Sequence, residues 1–170
     1  SREYLLKRGV VCPAVYGDPA LLLSRFYQPE QLPTRYRMGI IPHYVDQNNP
    51  LLDMYRDADD ILLLDVQEYG SFHSFIAKLC SCQFIASSSL HGLILADSYG
   101  IPNVWVQFSD KIMGGRFKYE DYFLSVQRPS NGFPVHIDSA EQFNELFVHQ
   151  QEWKAPNIDL DLLLESCPFM

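Results

Sequence analysis

Apolar residues come in short solid blocks along the first two thirds of this chain, with polar stretches of helical length between them. The clearest block, Ile61-Leu62-Leu63-Leu64-Asp65-Val66, is almost unbroken, as in a strand of a parallel sheet covered on both faces. Met38-Gly39-Ile40-Ile41-Pro42-His43-Tyr44 reads as another strand, and Pro42 marks its C-terminal end. Phe84-Ile85-Ala86 and Val104-Trp105-Val106-Gln107-Phe108 continue the series. A further strand is predicted at Pro13-Ala14-Val15-Tyr16, ahead of the turn Gly17-Asp18-Pro19. Helices are predicted over residues 1–9, ending at Gly9, then over 51–55, 72–80 and 90–99, the last stopped by Gly100 and Pro102.

This alternation has the spacing of right-handed βαβ crossovers. The expected fold is therefore α/β, a Rossmann-like parallel sheet with helices on both faces. Downstream, residues 118–126, 139–149 and 158–164 read as helices separated by Pro129, Pro134 and Pro156. They are expected to cover the sheet or to pack on a partner domain. The organisation is one domain over 1–170, with a core over 1–126 and a helical tail over 127–170, and neither a repeat nor a low-complexity tract interrupts it.

Length and composition agree with this picture. A chain of 170 residues, 47% hydrophobic and 20% charged, can close one core. Twenty-one acidic against thirteen basic residues give a net charge of −8, which repels a phosphate backbone, so nucleic acid is not an expected partner. The apolar runs are far shorter than the roughly 20 residues of a membrane span, and the start lacks a signal-peptide stretch. The expected location is the cytoplasm, with peripheral attachment to the inner face of the membrane left open. The chain opens at Ser1 without a methionine, so a preceding segment is expected. Cys12, Cys80, Cys82 and Cys167 lack zinc spacing and read as free thiols. No metal is expected.

The chemistry concentrates in Ser87-Ser88-Ser89-Leu90-His91-Gly92. In open parallel sheets ligands sit beyond the carboxyl ends of the strands, where helix N-termini present free N–H groups. Three hydroxyls arrive there together, with His91 and Gly92 in the first turn of the next helix. Two readings compete: an anion site, or serines that only cap, a glycine that only packs and a histidine satisfied in the core. The coincidence of serine triplet, helix start and strand end favours the anion site.

The segment Ala86-Ser87-Ser88-Ser89-Leu90-His91-Gly92-Leu93-Ile94-Leu95-Ala96-Asp97-Ser98-Tyr99-Gly100-Ile101-Pro102 resembles the signature of polysaccharide pyruvyl transferases. Ser1-Arg2-Glu3-Tyr4-Leu5 with Gly9, Tyr16-Gly17-Asp18-Pro19-Ala20 and Phe117-Lys118-Tyr119-Glu120-Asp121-Tyr122 resemble further segments of the family in the same order. The resemblance implies a GT-B-like enzyme that moves a pyruvyl group from phosphoenolpyruvate to a sugar hydroxyl pair, forming a cyclic ketal in the synthesis of a surface or capsular polysaccharide. This chain resembles its C-terminal, donor-side half, and the family's N-terminal domain is not in it. Implied partners are phosphoenolpyruvate as donor substrate with no separate cofactor, a sugar or lipid-linked oligosaccharide acceptor, and the N-terminal domain. A homo-oligomer stays open as an alternative.

Such a donor needs convergent hydrogen-bond donors and positive charge for its phosphate and carboxylate. His91 is the candidate general acid or phosphate partner, since an ordinary imidazole titrates near neutral pH. Ser88, Ser89, Leu90 and Gly92 frame the donor site. Arg2 joins them because the family's matching stretch is arginine-rich. Arg116 and Lys118, with Lys111, form a basic segment that contains Gly114 and Gly115 and reads either as a flap or as a solvated loop. His43, at a strand's carboxyl end, lines the same cleft; Asp18 shapes its turn, and His73, His136 and His149 are structural or exposed. Two rivals remain: a nucleotide-sugar glycosyltransferase, for which Asp97 is the one ribose-binding carboxylate on the 90–99 helix, and a non-catalytic scaffold.

Overall fold

The computed structural model describes residues 1–30, 33–67, 71–113, 115–128 and 133–167. Its centre is a five-stranded sheet, β1 (Met38–Ile41), β2 (Ile61–Leu63), β3 (Ile85–Ser87), β4 (Asn103–Gln107) and β5 (Val135–His136). The spatial order is β2-β1-β3-β4-β5 and every pairing is parallel. Around it lie α1 (Arg2–Lys7), α2 (Leu23–Phe26), α3 (Phe72–Cys80), α4 (Leu90–Ser98), α5 (Phe117–Ser125), α6 (Ala140–Glu145), α7 (Val148–Glu152) and α8 (Leu160–Glu165). The fold is thus the expected α/β, Rossmann-like arrangement.

Strand alternation divides the core into two layers. Met38, Ile40, Phe84, Ala86 and Val106 face one way and pack with Leu52, Phe143 and Leu146. On the other face Ile41 and Ile85 meet Ile76 and Leu79 of α3 and Ala96 of α4, while Trp105 packs with Leu93, Tyr119 and Phe123. Trp105 and Tyr119 stack with ring centroids 4.2 Å apart. Both faces are covered, which is why the strands carry so few polar residues.

Gly92 explains how α4 comes so close to the sheet. A β-carbon there would collide with Ser87 Oγ and stand 3.0 Å from Ile41 Cγ2, so this helical glycine is fixed by contact with β1 and β3. At the other end Gly100 takes φ +67°, and the Gly100 N–H bonds the Asp97 carbonyl as the helix closes.

Two expectations are corrected. Among the described residues the Val15 segment pairs with no strand; Pro13 lacks an N–H, Gly17 turns the chain away at φ +119°, and Val15 packs instead against the cluster that holds Leu21, Leu22 and Leu163 of α8. The fifth strand comes from the opposite end of the chain, where Val135 pairs with Val106. The residues beyond 126 therefore supply an edge strand as well as helices, and the helix expected over 139–149 divides into α6 and α7. Gly114 and Pro129 lie outside the described residues. Among the described residues no helix is long and apolar enough to cross a membrane.

Candidate functional site at the carboxyl edge of the sheet

The chain runs from β1 outward to β2 and then crosses back to β3 on the other side of β1. The crevice of a doubly wound sheet opens at such a reversal, beyond the carboxyl ends of the two strands. Here those ends carry His43 and the serine triplet.

Ser88 ties them together. Its N–H donates to the Ile41 carbonyl at 3.1 Å, and its carbonyl accepts the Tyr119 hydroxyl at 2.6 Å. Its Oγ accepts the His43 N–H at 2.8 Å and donates to Asp46 Oδ2 at 3.2 Å. Asp46 Oδ1 in turn accepts the Ser109 hydroxyl at 2.5 Å, which brings in the loop after β4. Four segments thus meet at one fully buried serine.

The Ser88 hydroxyl, placed at the donor site on sequence grounds, makes its hydrogen bonds within the chain. Ser87 is also turned inward: its Oγ accepts from the Ser89 N–H and lies within bonding distance of the Ile41 and Ser89 carbonyls. Ser89 differs. It occupies the N-cap of α4, yet its side chain makes no capping bond, so the first-turn amides of Leu90 and His91 have no side-chain cap. His91 stands exposed in that turn. Gly92, expected to face a ligand, is buried against Ile41 and Ser87.

The basic candidates separate. Arg2 and Lys118 line one groove of about 800 Å³ together with Leu90, Tyr16 and Asp121. Arg2 Nε donates to the Cys12 and Pro13 carbonyls, 3.0 and 3.1 Å away, which anchors the segment after α1. Arg116 lies elsewhere, in a smaller cavity of about 440 Å³ with Trp105, Phe133 and His136. Its guanidinium pairs with Glu120 at 2.9 Å and covers the Phe133 ring at 3.9 Å. Arg2 and Lys118 are therefore brought together and Arg116 is not.

His43 is more deeply placed than His91. Its Nδ1 accepts the Val45 N–H at 3.4 Å, capping a short 3-10 turn. Burial lowers its pKa from 6.5, positive charge on Lys118 lowers it further, and Asp46 opposes both. Burial also lowers the Lys118 ammonium below its ordinary value.

Asp97 has a role that its sequence position hides. It accepts from Tyr122 Oη, Asn103 Nδ2 and Arg128 Nη1, each at 2.6 Å, and from Trp153 Nε1 at 3.1 Å. Burial and the adjacent carboxylate push the Tyr122 phenol far above its ordinary pKa. This ion pair belongs to the fold, and its fully buried carboxylate is not open to a ribose. Asp18 caps the turn at Pro19 by accepting the Ala20 N–H at 2.9 Å, as expected. Cys80 and Cys82 are free thiols that burial pushes up to about 11 and about 12.

Sheet order, the Ser88 junction and the uncapped start of α4 define an α/β domain whose chain reverses direction across the sheet between β1 and β3. The sequence profile of the polysaccharide pyruvyl transferase family matches residues 1–110, and the chain belongs to that family. It is similar to the uncharacterised protein L143 of Acanthamoeba polyphaga mimivirus, 36% identical over 155 residues, covering 87% of this chain and 51% of that protein. It is also similar to the succinoglycan biosynthesis protein ExoV of Rhizobium meliloti (strain 1021), 27% identical over 105 residues, covering 62% of this chain and 32% of that protein. The chain thus spans about half and about a third of the lengths of these two relatives. No solved structure matches it significantly.

Proposed function

We propose that this chain is the donor-binding half of a pyruvyl transferase, which takes phosphoenolpyruvate as donor and forms a pyruvyl ketal on a sugar hydroxyl pair in polysaccharide synthesis. One observation carries the reading. An exposed histidine sits in the first turn of a nine-residue helix that no side chain caps, at the sheet's reversal point. Family membership and the similarity to ExoV support the same chemistry.

His91 supplies the proton that converts the donor's methylene carbon to a methyl group, leaving the neighbouring carbon electron-poor. One sugar hydroxyl adds to that carbon and releases its proton, which restores His91. The carbon–oxygen bond to phosphate breaks with its electron pair on phosphate. The second hydroxyl then adds and gives its proton to the departing phosphate, so donor plus diol become ketal plus phosphate. Ser89 and the amides of Leu90 and His91 offer hydrogen bonds to the donor, and Lys118 and Arg2 offer positive charge from the adjoining groove. The acceptor, a sugar or lipid-linked oligosaccharide, is completed by the domain that precedes this half in the family.

The glycosyltransferase reading loses its carboxylate, because Asp97 is closed by Arg128 and three other donors. Calorimetric titration of the chain with phosphoenolpyruvate and with a uridine nucleotide sugar tests the choice. Binding of phosphoenolpyruvate alone is the expected result, and tighter binding of the nucleotide sugar overturns the proposal.

A further inference from the structure

The cavity of about 440 Å³ that holds Arg116 has no role in the donor chemistry. It lies at the carboxyl end of β4 and β5, where Gln107 and His136, the last residues of the two strands and partners in register, both line it. Two of its lining residues are bonded to the Ser88 junction. Tyr119 donates to the Ser88 carbonyl at 2.6 Å, and Ser109 donates to Asp46, which also accepts the Ser88 hydroxyl. The lining is thus continuous with the segment that starts α4.

The polar groups this cavity offers are acceptors. Gln107 Nε2 donates to the Ser109 carbonyl at 3.1 Å and to Asp110 Oδ1 at 2.7 Å. A carbonyl and a carboxylate accept, so the amide can face them only with its nitrogen. Gln107 Oε1 and Asp110 Oδ2 are left side by side with no donor among the described residues, and Oε1 is not sealed from solvent. The one arginine in the lining is already paired, with Glu120 at 2.9 Å, and its guanidinium covers the Phe133 ring at 3.9 Å. Lone pairs beside a carboxylate repel an anion and attract hydroxyl hydrogens. The apolar part of the lining is aromatic: Trp105 stacks on Tyr119, and Phe133 is 69% exposed. Fixed adjacent acceptors next to an aromatic ring match a pyranose, which carries hydroxyls on its rim and C–H groups on its faces.

We infer that this cavity binds one neutral sugar ring of the acceptor, with two adjacent hydroxyls donating to Gln107 Oε1 and Asp110 Oδ2 and a C–H face laid against Phe133. The inference rests on the transferase reading above and deepens it, because it gives the donor-binding half a subsite for the acceptor. His91 is not in the lining, so the ring held here anchors the saccharide, and the hydroxyl pair that takes the pyruvyl group lies outside the cavity.

Methyl β-glucoside and methyl β-galactoside are the probes, with uridine and phosphoenolpyruvate for comparison, and the ¹⁵N–¹H signals of the Gln107 side-chain amide and the Trp105 indole are the readout. One or both glycosides at roughly 10 mM should move the two signals in the full chain, and phosphoenolpyruvate should move neither. Asp110→Ala and Phe133→Ala alter exposed side chains and should fold. Each should weaken glycoside binding about three- to tenfold and leave phosphoenolpyruvate affinity unchanged. Still signals with both glycosides at about 50 mM overturn the inference, as do unchanged glycoside affinity in the two variants and a stronger response to uridine. The two readings fail separately. Glycoside bound at Gln107 by a chain that ignores phosphoenolpyruvate sinks the donor reading alone. Phosphoenolpyruvate that displaces the glycoside from Gln107 sinks this assignment alone.

Discussion

Two buried carboxylates, Asp97 and Asp46, sit under opposite ends of the same sheet, and they are treated in opposite ways. Asp97 meets the Arg128 guanidinium, a phenol, an amide and an indole, and its charge is neutralised inside the fold. Asp46 meets two hydroxyls and no cation within ion-pair distance among the described residues, and the His43 ring in the same turn bonds the Val45 N–H instead. A carboxylate with its cation closes a structure. A carboxylate without a cation, at the carboxyl end of a parallel sheet, ties loops together through hydroxyls and keeps its charge.

The sharpest way to break this comparison is at Asp97. Asp97→Ala leaves Arg128 buried without its partner, and unfolding in urea should show a loss of about 3–5 kcal/mol. A loss below about 1 kcal/mol would mean that the pair is screened after all and that the two ends are alike.

Gly92→Ala comes next. The added methyl meets Ser87 Oγ and Ile41, so α4 must lift from the sheet at a cost of about 1–3 kcal/mol. Thermal unfolding measures it, and a neutral or stabilising effect would show that α4 is not seated as described.

The smallest effect is the pH dependence carried by His43. Its folded pKa lies below 6.5, so the unfolded chain binds the proton more readily than the folded one. The stability this contributes is complete above about pH 6.5 and is lost as the pH falls through the lowered value. His43→Gln should flatten that part of the stability–pH curve. Denaturant midpoints across that window decide it.

The legible parts of the molecule were those set by runs of like residues. Strands at Ile40, Leu63, Ile85 and Val106 and the helices α3 and α4 follow from solid apolar blocks and from Gly100; their starts agree within a residue, while β1 and β2 stop three residues before the expected runs end. Val15 looked like a strand because the sequence carries apolarity but not pairing, and its neighbours Pro13 and Gly17 oppose pairing. The true edge strand, Val135–His136, is only two residues long, directly follows Pro134 and has no periodicity to read. At the site, the position of His91 was legible from strand end, serines and glycine. The inward turn of Ser88 was not, since it depends on His43, Asp46 and Tyr119, which lie 45, 42 and 31 residues away. Asp97 was open to misreading for the same reason, with partners up to 56 residues distant.

The central claim is that the open start of α4 holds the donor through His91. Calorimetric titration of wild type and His91→Ala with phosphoenolpyruvate tests it most directly, because the exposed side chain can be removed without touching the core. The account predicts weak binding by the wild type and a loss of about 1.5–3 kcal/mol, roughly tenfold or more, in the variant, with unfolding unchanged. Equal affinity in the two proteins would contradict it.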